Sequence, residues 1–139
     1  MNNSPEIEAI IEQAIELSKQ RKHQYCTIEH LLLSLITHTP FKKCLDSFGC
    51  ETSTMIQEVT SYVDSLHAIV AKIDPDQQVQ PRKTNSLERV MNRSVTQVLF
   101  TGRRQVTTID LYLSISSEGN SHAHYFLLKY GINKNDFVA

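Results

Sequence analysis

The chain has 139 residues, of which 40% are hydrophobic, and a net charge of −1. This length suits one compact domain, and the balanced charge argues against a bulk attraction to nucleic acid or to an acidic membrane. No run approaches the roughly 18 apolar residues of a membrane span, and the first residues lack the pattern of a secretory signal. The cysteines, at positions 26, 44 and 50, have no CxxC spacing, so we read them as buried or idle thiols in a reducing cytosol.

The first half predicts four helices. Ser4 can cap a helix that runs from Pro5 to about Arg21 with one apolar stripe, and Thr27 can cap a second, central helix. Pro40 follows the end of that second helix. The remaining two segments are a short helix at about 41–48, stopped by Gly49 in a left-handed conformation, and a helix at about 52–70.

The second half follows a polar stretch, DPDQQVQPRK, which reads as an exposed connection. Asn85 and Glu88 have the spacing of a capping box and predict the start of the fifth helix, which ends near Gly102. Thr107 opens a sixth helix. A seventh follows at about 123–130 and a last turn near Asn133. No strand-like alternation exceeds a few residues, so we predict an all-α protein of about eight helices.

Two phrases of the sequence repeat each other. TIEHLLLSLI at 27–36 matches TTIDLYLSIS at 107–116, and the same offset (107 − 27 = 80) aligns Ile7 with Leu87 and Ile10 with Val90. Such self-similarity predicts duplicated supersecondary units that bury their apolar faces against each other. We therefore predict a pseudo-twofold duplicated four-helix repeat in one domain, 1–139. Repeat one spans 5–72, the connection 73–85 and repeat two 86–139.

The second phrase replaces Glu29 and His30 by Ile109 and Asp110. The shared frame therefore does not require the first pair, and we predict that Glu29 and His30 are a surface difference between the repeats. Glu29 suits the positive end of a helix, and His30 its packed first turn. The order of the two residues does not fit the HExxH zinc motif.

The whole pattern resembles the amino-terminal domain of Clp-type AAA+ unfoldases, and within that family the ClpA type. The phrases that carry the resemblance are RKHQYCTIEHLLLSLI, LERVMNRSVTQVLFTGRRQVTTIDLYLSI and HYFLLKYGI, which together cover most of the chain. The resemblance implies a non-enzymatic domain that docks adaptors and substrates on a hexameric, cytoplasmic unfoldase with its peptidase. The adaptor it implies is ClpS-like, and no cofactor, nucleic acid or membrane is implied.

The family's adaptor-facing surface maps onto six positions of this chain, which are Gln24, Glu29, Thr84, Lys83, Arg89 and His23. Gln24 stands where the ClpA type has an acidic residue, and the lost charge would retune a charge-assisted contact. The chain has no GxxxxGK[ST] phosphate-binding motif, so it carries no motor of its own. We expect it to be the docking part of a longer unfoldase.

Two alternatives stay open. One is a stand-alone regulator that occupies the adaptor or the unfoldase. The other is a small metal-binding helical protein, because Asp64 and His67 share a predicted helix face and His23 could supply a third ligand. The sequence shows no nucleophile motif such as GxSxG and no cysteine with an obvious base.

Overall fold

The computed structural model describes residues 4–66 and 81–132. Within these ranges it contains seven helices and two very short strands. They are α1 (Pro5–Gln20), β1 (Tyr25–Cys26), α2 (Ile28–Thr37), α3 (Thr39–Ser47), α4 (Thr52–Asp64), β2 (Arg82–Lys83), α5 (Asn85–Phe100), α6 (Thr108–Ser116) and α7 (His122–Tyr130). The all-α prediction is confirmed. The turn predicted near Asn133 lies outside the described residues.

The central place predicted for α2 is confirmed. This helix contacts each of the six other helices. All of its residues from Ile28 to Ile36 are buried, which a helix can tolerate only when its polar side chains find partners inside the protein. One such partner joins α2 to α1, because the Ser34 hydroxyl donates to the Ile10 carbonyl at 2.6 Å.

The duplication is visible in matched contacts of the two halves. Ser114 donates to the Val90 carbonyl at 2.7 Å, and both residues lie 80 positions after the Ser34–Ile10 pair. The packing of α1 on α2 in repeat one thus recurs as the packing of α5 on α6 in repeat two. The two repeats then meet through α2 against α6 and through α4 against α7.

Several predicted helix ends are confirmed, and others differ. Ser4, Thr27 and Thr107 each accept a backbone N–H as N-caps. The cap of α5 is Thr84, whose hydroxyl accepts from the Leu87 N–H at 3.2 Å, so the predicted cap Asn85 is wrong and is the first helical residue. The helix begins one residue earlier than predicted because Thr84 has the extended backbone of an N-cap, with φ −69° and ψ 161°, and its hydroxyl reaches the Leu87 N–H.

The short third helix also begins earlier than predicted. It starts at Thr39 and includes Pro40, because proline suits the first turn, where its missing N–H has no helical partner. Gly49 ends it with φ +79°, the left-handed conformation predicted. α4 ends at Asp64, short of the predicted end at position 70, and residues 67–70 lie outside the described part.

Residues 82–84, near the end of the predicted connection, are held by backbone hydrogen bonds to residues 24–26. Tyr25 and Cys26 pair in parallel with Arg82 and Lys83, and the Thr84 N–H donates to the Cys26 carbonyl at 3.1 Å. The contact places the start of α5 beside the start of α2. Two chain segments more than fifty residues apart in sequence thereby form two adjoining sides of a cleft.

Candidate functional site

The cleft, which we call the α2–α5 cleft, has a volume of about 370 Å³ and lies between three segments. The start of α2 forms one side, the start of α5 the second and the α6–α7 loop the third. Polar groups predominate along it. The lining residues are Thr27, Ile28, Glu29, Thr84, Ser86, Arg89, Ser117, Glu118, Gly119, Asn120, Ser121 and His122.

Glu29 is the buried acid of the cleft, since only 7% of it is exposed. Its Oε2 accepts from the backbone N–H of Ala123 at 2.9 Å. It therefore caps the first turn of α7, where unpaired N–H groups favour a negative charge. Burial nevertheless raises the pKa of the Glu29 carboxyl, because a charge is costly to hold away from water.

The sequence expectation that Glu29 and His30 form a surface difference is wrong. His30 is fully buried, and its Nδ1 accepts from the Thr27 N–H at 3.0 Å in a capping box. The expected places of Glu29 at a helix start and of His30 in a packed first turn are as predicted. Both side chains are retained inside because each satisfies a helix N-terminus.

Three of the six residues implied by the family resemblance line this cleft. They are Glu29, Thr84 and Arg89. Lys83 is exposed on the adjoining β2, and Gln24 is exposed just before β1, where its carbonyl accepts from the Arg82 N–H at 2.9 Å. These two side chains form an exposed rim next to the cleft.

His23 lies elsewhere. It is only 2% exposed, and its Nδ1 is 2.9 Å from Nε2 of His30. The Thr27 N–H is a donor, so Nδ1 of His30 must accept, and its Nε2 then carries the proton toward His23. The position of His23 suits support of α2 better than direct contact with a partner.

Sequence reasoning missed the ionic cluster on the far side of the cleft. The Glu118 carboxylate accepts from Arg89 at 2.6 Å and from Arg93 at 2.7 Å. The hydrogen bond from Arg89, with further help from Arg93, holds the pKa of the Glu118 carboxyl below its usual range. Helical spacing links Arg89 to Arg93, but nothing local in sequence joins them to Glu118.

His122 is a second residue that the sequence did not single out for the cleft. Its ring stacks on Tyr62 with centroids 4.3 Å apart, and its Nδ1 is 2.9 Å from the Tyr62 hydroxyl. Tyr62 belongs to α4, so this contact holds the start of α7 against repeat one. The cleft wall is therefore built by both repeats.

The metal alternative depends on His67, which lies outside the described residues, and on Asp64, which accepts from Arg21 Nε at 2.6 Å. Within 4–66 and 81–132, no three His, Cys, Asp or Glu side chains gather in a group that could hold a metal ion. Over the same ranges, none of the helices has both the length and the apolar character that crossing a bilayer requires.

The fold and the cleft define a class: a small, duplicated helical domain whose concave polar surface is suited to protein contact. A family model narrows the class. It describes the Clp repeat (R) N-terminal domain and matches residues 2–130. The chain belongs to this family.

One curated relative is the ClpA homolog protein of Fuscovulum blasticum, which is 28% identical over 136 residues. The match takes in 97% of this chain but only 17% of that protein, so the chain spans about one sixth of the relative's length.

Two solved structures show the same fold. The Hsp104 N-terminal domain from Candida albicans superimposes with a TM-score of 0.79 at 15% identity, over 96% of this chain and 84% of that one. The N-terminal domain of the ClpV1 ATPase from E. coli gives a TM-score of 0.75 at 16% identity, over 96% and 79% of the two chains. The N-terminal domains of these two proteins thus share the architecture of this chain.

Proposed function

We propose that this domain docks adaptor proteins and substrates for a Clp-type unfoldase, and that the α2–α5 cleft with its rim receives a ClpS-like adaptor. The observation that supports the proposal is the convergence of Glu29, Thr84 and Arg89 on one cleft, beside the exposed Gln24 and Lys83. The choice of these five residues comes from the family resemblance alone. That three of them line one cleft is a property of the fold. In this proposal the parent protein is a cytoplasmic hexamer that unfolds substrates for a peptidase.

The five residues have different parts in the proposed contact. Lys83 and Gln24 offer a charge and an amide on the rim, where charge mainly steers association and sets salt dependence. Arg89 has more than half of its side chain exposed while it holds Glu118, so it can meet a partner's acceptor without leaving its own ion pair. Glu29 and Thr84 line two sides of the cleft and are held in place by their capping bonds.

The test is calorimetric titration of the chain with the ClpS-type adaptor of the same organism. Lys83→Glu is the principal variant, because Lys83 is exposed and its reversal leaves the core intact. Lys43→Glu on α3 is the matched control, since it makes the same charge change at another exposed lysine. We expect saturable binding that Lys83→Glu weakens by roughly tenfold, about 1.4 kcal/mol, and Lys43→Glu leaves unchanged.

Glu29→Lys is informative only with a folding check. Because Glu29 is buried against α7, its reversal removes a cap as well as a contact. Circular dichroism of each variant separates the two effects. No binding heat from a folded chain would contradict the ClpS assignment, and equal losses from Lys83→Glu and Lys43→Glu would contradict the proposed surface.

A further inference from the structure

Two thiols lie at the end of α3, in the turn that leads to α4. Cys44 is in the helix and Cys50 follows Gly49. The turn is a Schellman motif, because the Cys50 N–H donates to the Leu45 carbonyl at 3.2 Å and the Gly49 N–H to the Asp46 carbonyl at 3.0 Å. In this motif the residue after the glycine folds back over the last turn of the helix. The motif therefore brings Cys50 back toward the helical turn that carries Cys44.

The electrostatics of Cys50 are consistent with this turn geometry. Burial, followed by the charges of Cys44 and Asp46, raises the pKa of the Cys50 thiol. Both cysteines also act on the hydroxyl of Tyr112, whose pKa is raised to about 12, mainly by burial. Both thiols therefore lie within electrostatic range of Tyr112, whose ring meets Phe41 of α3 with centroids 5.4 Å apart.

The thiols differ in how they meet solvent. Cys50 lines a shallow cleft of about 240 Å³ together with Phe48, Glu51 and the end of α7, whereas Cys44 does not line it. Both are partly buried and unbridged, and Cys26 is fully buried in the core. Cys50 is therefore the thiol that a small reagent reaches most easily.

We propose that Cys44 and Cys50 are a redox-active thiol pair that a small-molecule disulfide, such as oxidised glutathione, converts to an intramolecular disulfide. The Cys50 thiolate attacks one glutathione sulfur, a Cys50–glutathione disulfide forms, and one glutathione thiolate leaves. The Cys44 thiolate then attacks the Cys50 sulfur and releases the second glutathione. Two electrons pass from the protein to the oxidant, and the two thiol protons end on the released glutathione molecules.

The rate of this exchange should depend on pH in a defined direction. A thiolate is the attacking species, and the pKa of Cys50 is raised, so only a small fraction is reactive at neutral pH. Bridging should therefore accelerate as the pH rises toward alkaline values. The inference is independent of the docking proposal, since no residue of the α2–α5 cleft takes part.

The experiment is incubation of the folded chain with oxidised glutathione, followed by peptide mass mapping without reduction. We expect two of the three thiols to be lost, with Cys44 joined to Cys50 and Cys26 still free. Cys44→Ser should accumulate glutathione on Cys50, because the second attack is removed. Cys50→Ser should react more slowly at Cys44.

Four outcomes would overturn the proposal. The first three are stable glutathione adducts on both cysteines of the unmutated chain, a disulfide between two chains, and reaction of Cys44 in Cys50→Ser as fast as that of Cys50 in Cys44→Ser. Reaction of Cys26 as fast as Cys50 would also overturn it, because the buried thiol is reached only when the domain opens. Circular dichroism before and after oxidation shows whether each variant was folded.

Discussion

His30 and Asp110 occupy equivalent places in the two repeats. Each accepts a hydrogen bond from the backbone N–H of its N-cap threonine, His30 through an imidazole nitrogen and Asp110 through a carboxylate oxygen. His30 Nδ1 accepts from the Thr27 N–H at 3.0 Å, and Asp110 Oδ2 accepts from the Thr107 N–H at 2.8 Å. Each closes a capping box at the start of a central helix. The offset of 80 also relates their partners, since His30 meets His23 and Asp110 meets Arg103.

The difference has a consequence for acid stability. Burial, followed by the charges of His23 and Arg21, lowers the pKa of His30 to about 3. The unfolded chain binds a proton at His30 near pH 6.5, while the folded chain does not, so the unfolded state gains protons as the pH falls. His30 therefore makes the domain less stable between roughly pH 6.5 and pH 3, by up to about 1.4 kcal/mol per pH unit.

We expect His30→Asn to flatten this dependence. Asparagine can still accept the Thr27 N–H through its side-chain oxygen but does not titrate. Urea unfolding of both proteins from pH 7 to pH 4 measures the effect. Parallel stability curves would show that His30 does not titrate on unfolding.

Glu29 predicts a contrast between two substitutions. Glu29→Ala leaves the Ala123 N–H without its partner and should lower the free energy of unfolding by about 1–3 kcal/mol. Glu29→Gln keeps an acceptor and removes a buried charge, so it should be near neutral at pH 7. Because the folded pKa of Glu29 is raised, the wild-type protein should gain relative to Glu29→Gln as the pH falls.

Chemical denaturation of the three proteins at pH 7 and at acidic pH tests this contrast. Equal losses for Ala and Gln at pH 7 would mean that the charge, and not the hydrogen bond, is what α7 requires. No loss for either variant would mean that the start of α7 does not depend on Glu29.

A side chain added at Gly131 should cause a steric clash, and the same substitution at Gly119 provides a control in the same protein. A Cβ at Gly131 would collide with the Tyr112 hydroxyl and approach the Leu127 carbonyl to 2.6 Å, whereas a Cβ at Gly119 would meet nothing within 4 Å. Gly131→Ala should therefore cost roughly 1–3 kcal/mol of stability, and Gly119→Ala should be tolerated. Thermal unfolding of both variants distinguishes them, and similar midpoints would contradict the packing described around Tyr112.

The ion cluster of Glu118 should contribute stability with a pH dependence opposite to that of Glu29. Because Arg89 and Arg93 lower its folded pKa, the ion cluster stabilises the domain fully above the unfolded pKa, roughly 4.3, and loses that contribution as the pH falls below it. Glu118→Gln should thus destabilise the protein at pH 7 and converge with the wild type in acid. Unfolding midpoints measured across this range check the prediction, and a constant difference would argue against it.

The sequence by itself determined the helices and the duplication. Apolar residues at helical spacing, caps such as Ser4 and Thr27, and the breaker Gly49 act within one or two turns, so their effect can be read locally. The offset of 80 made both repeats visible. The exact cap of α5 was missed because Thr84 and Asn85 are adjacent and both suit the position.

Only the tertiary structure decided what Glu29 and Glu118 do. Glu29 caps a helix that begins more than ninety residues later, and Glu118 meets arginines of another helix. Such partners are fixed by the packing of one repeat on the other, which leaves no local pattern in the chain. The physical reason is that a buried charge is retained only where distant groups satisfy it, and folding alone brings those groups together.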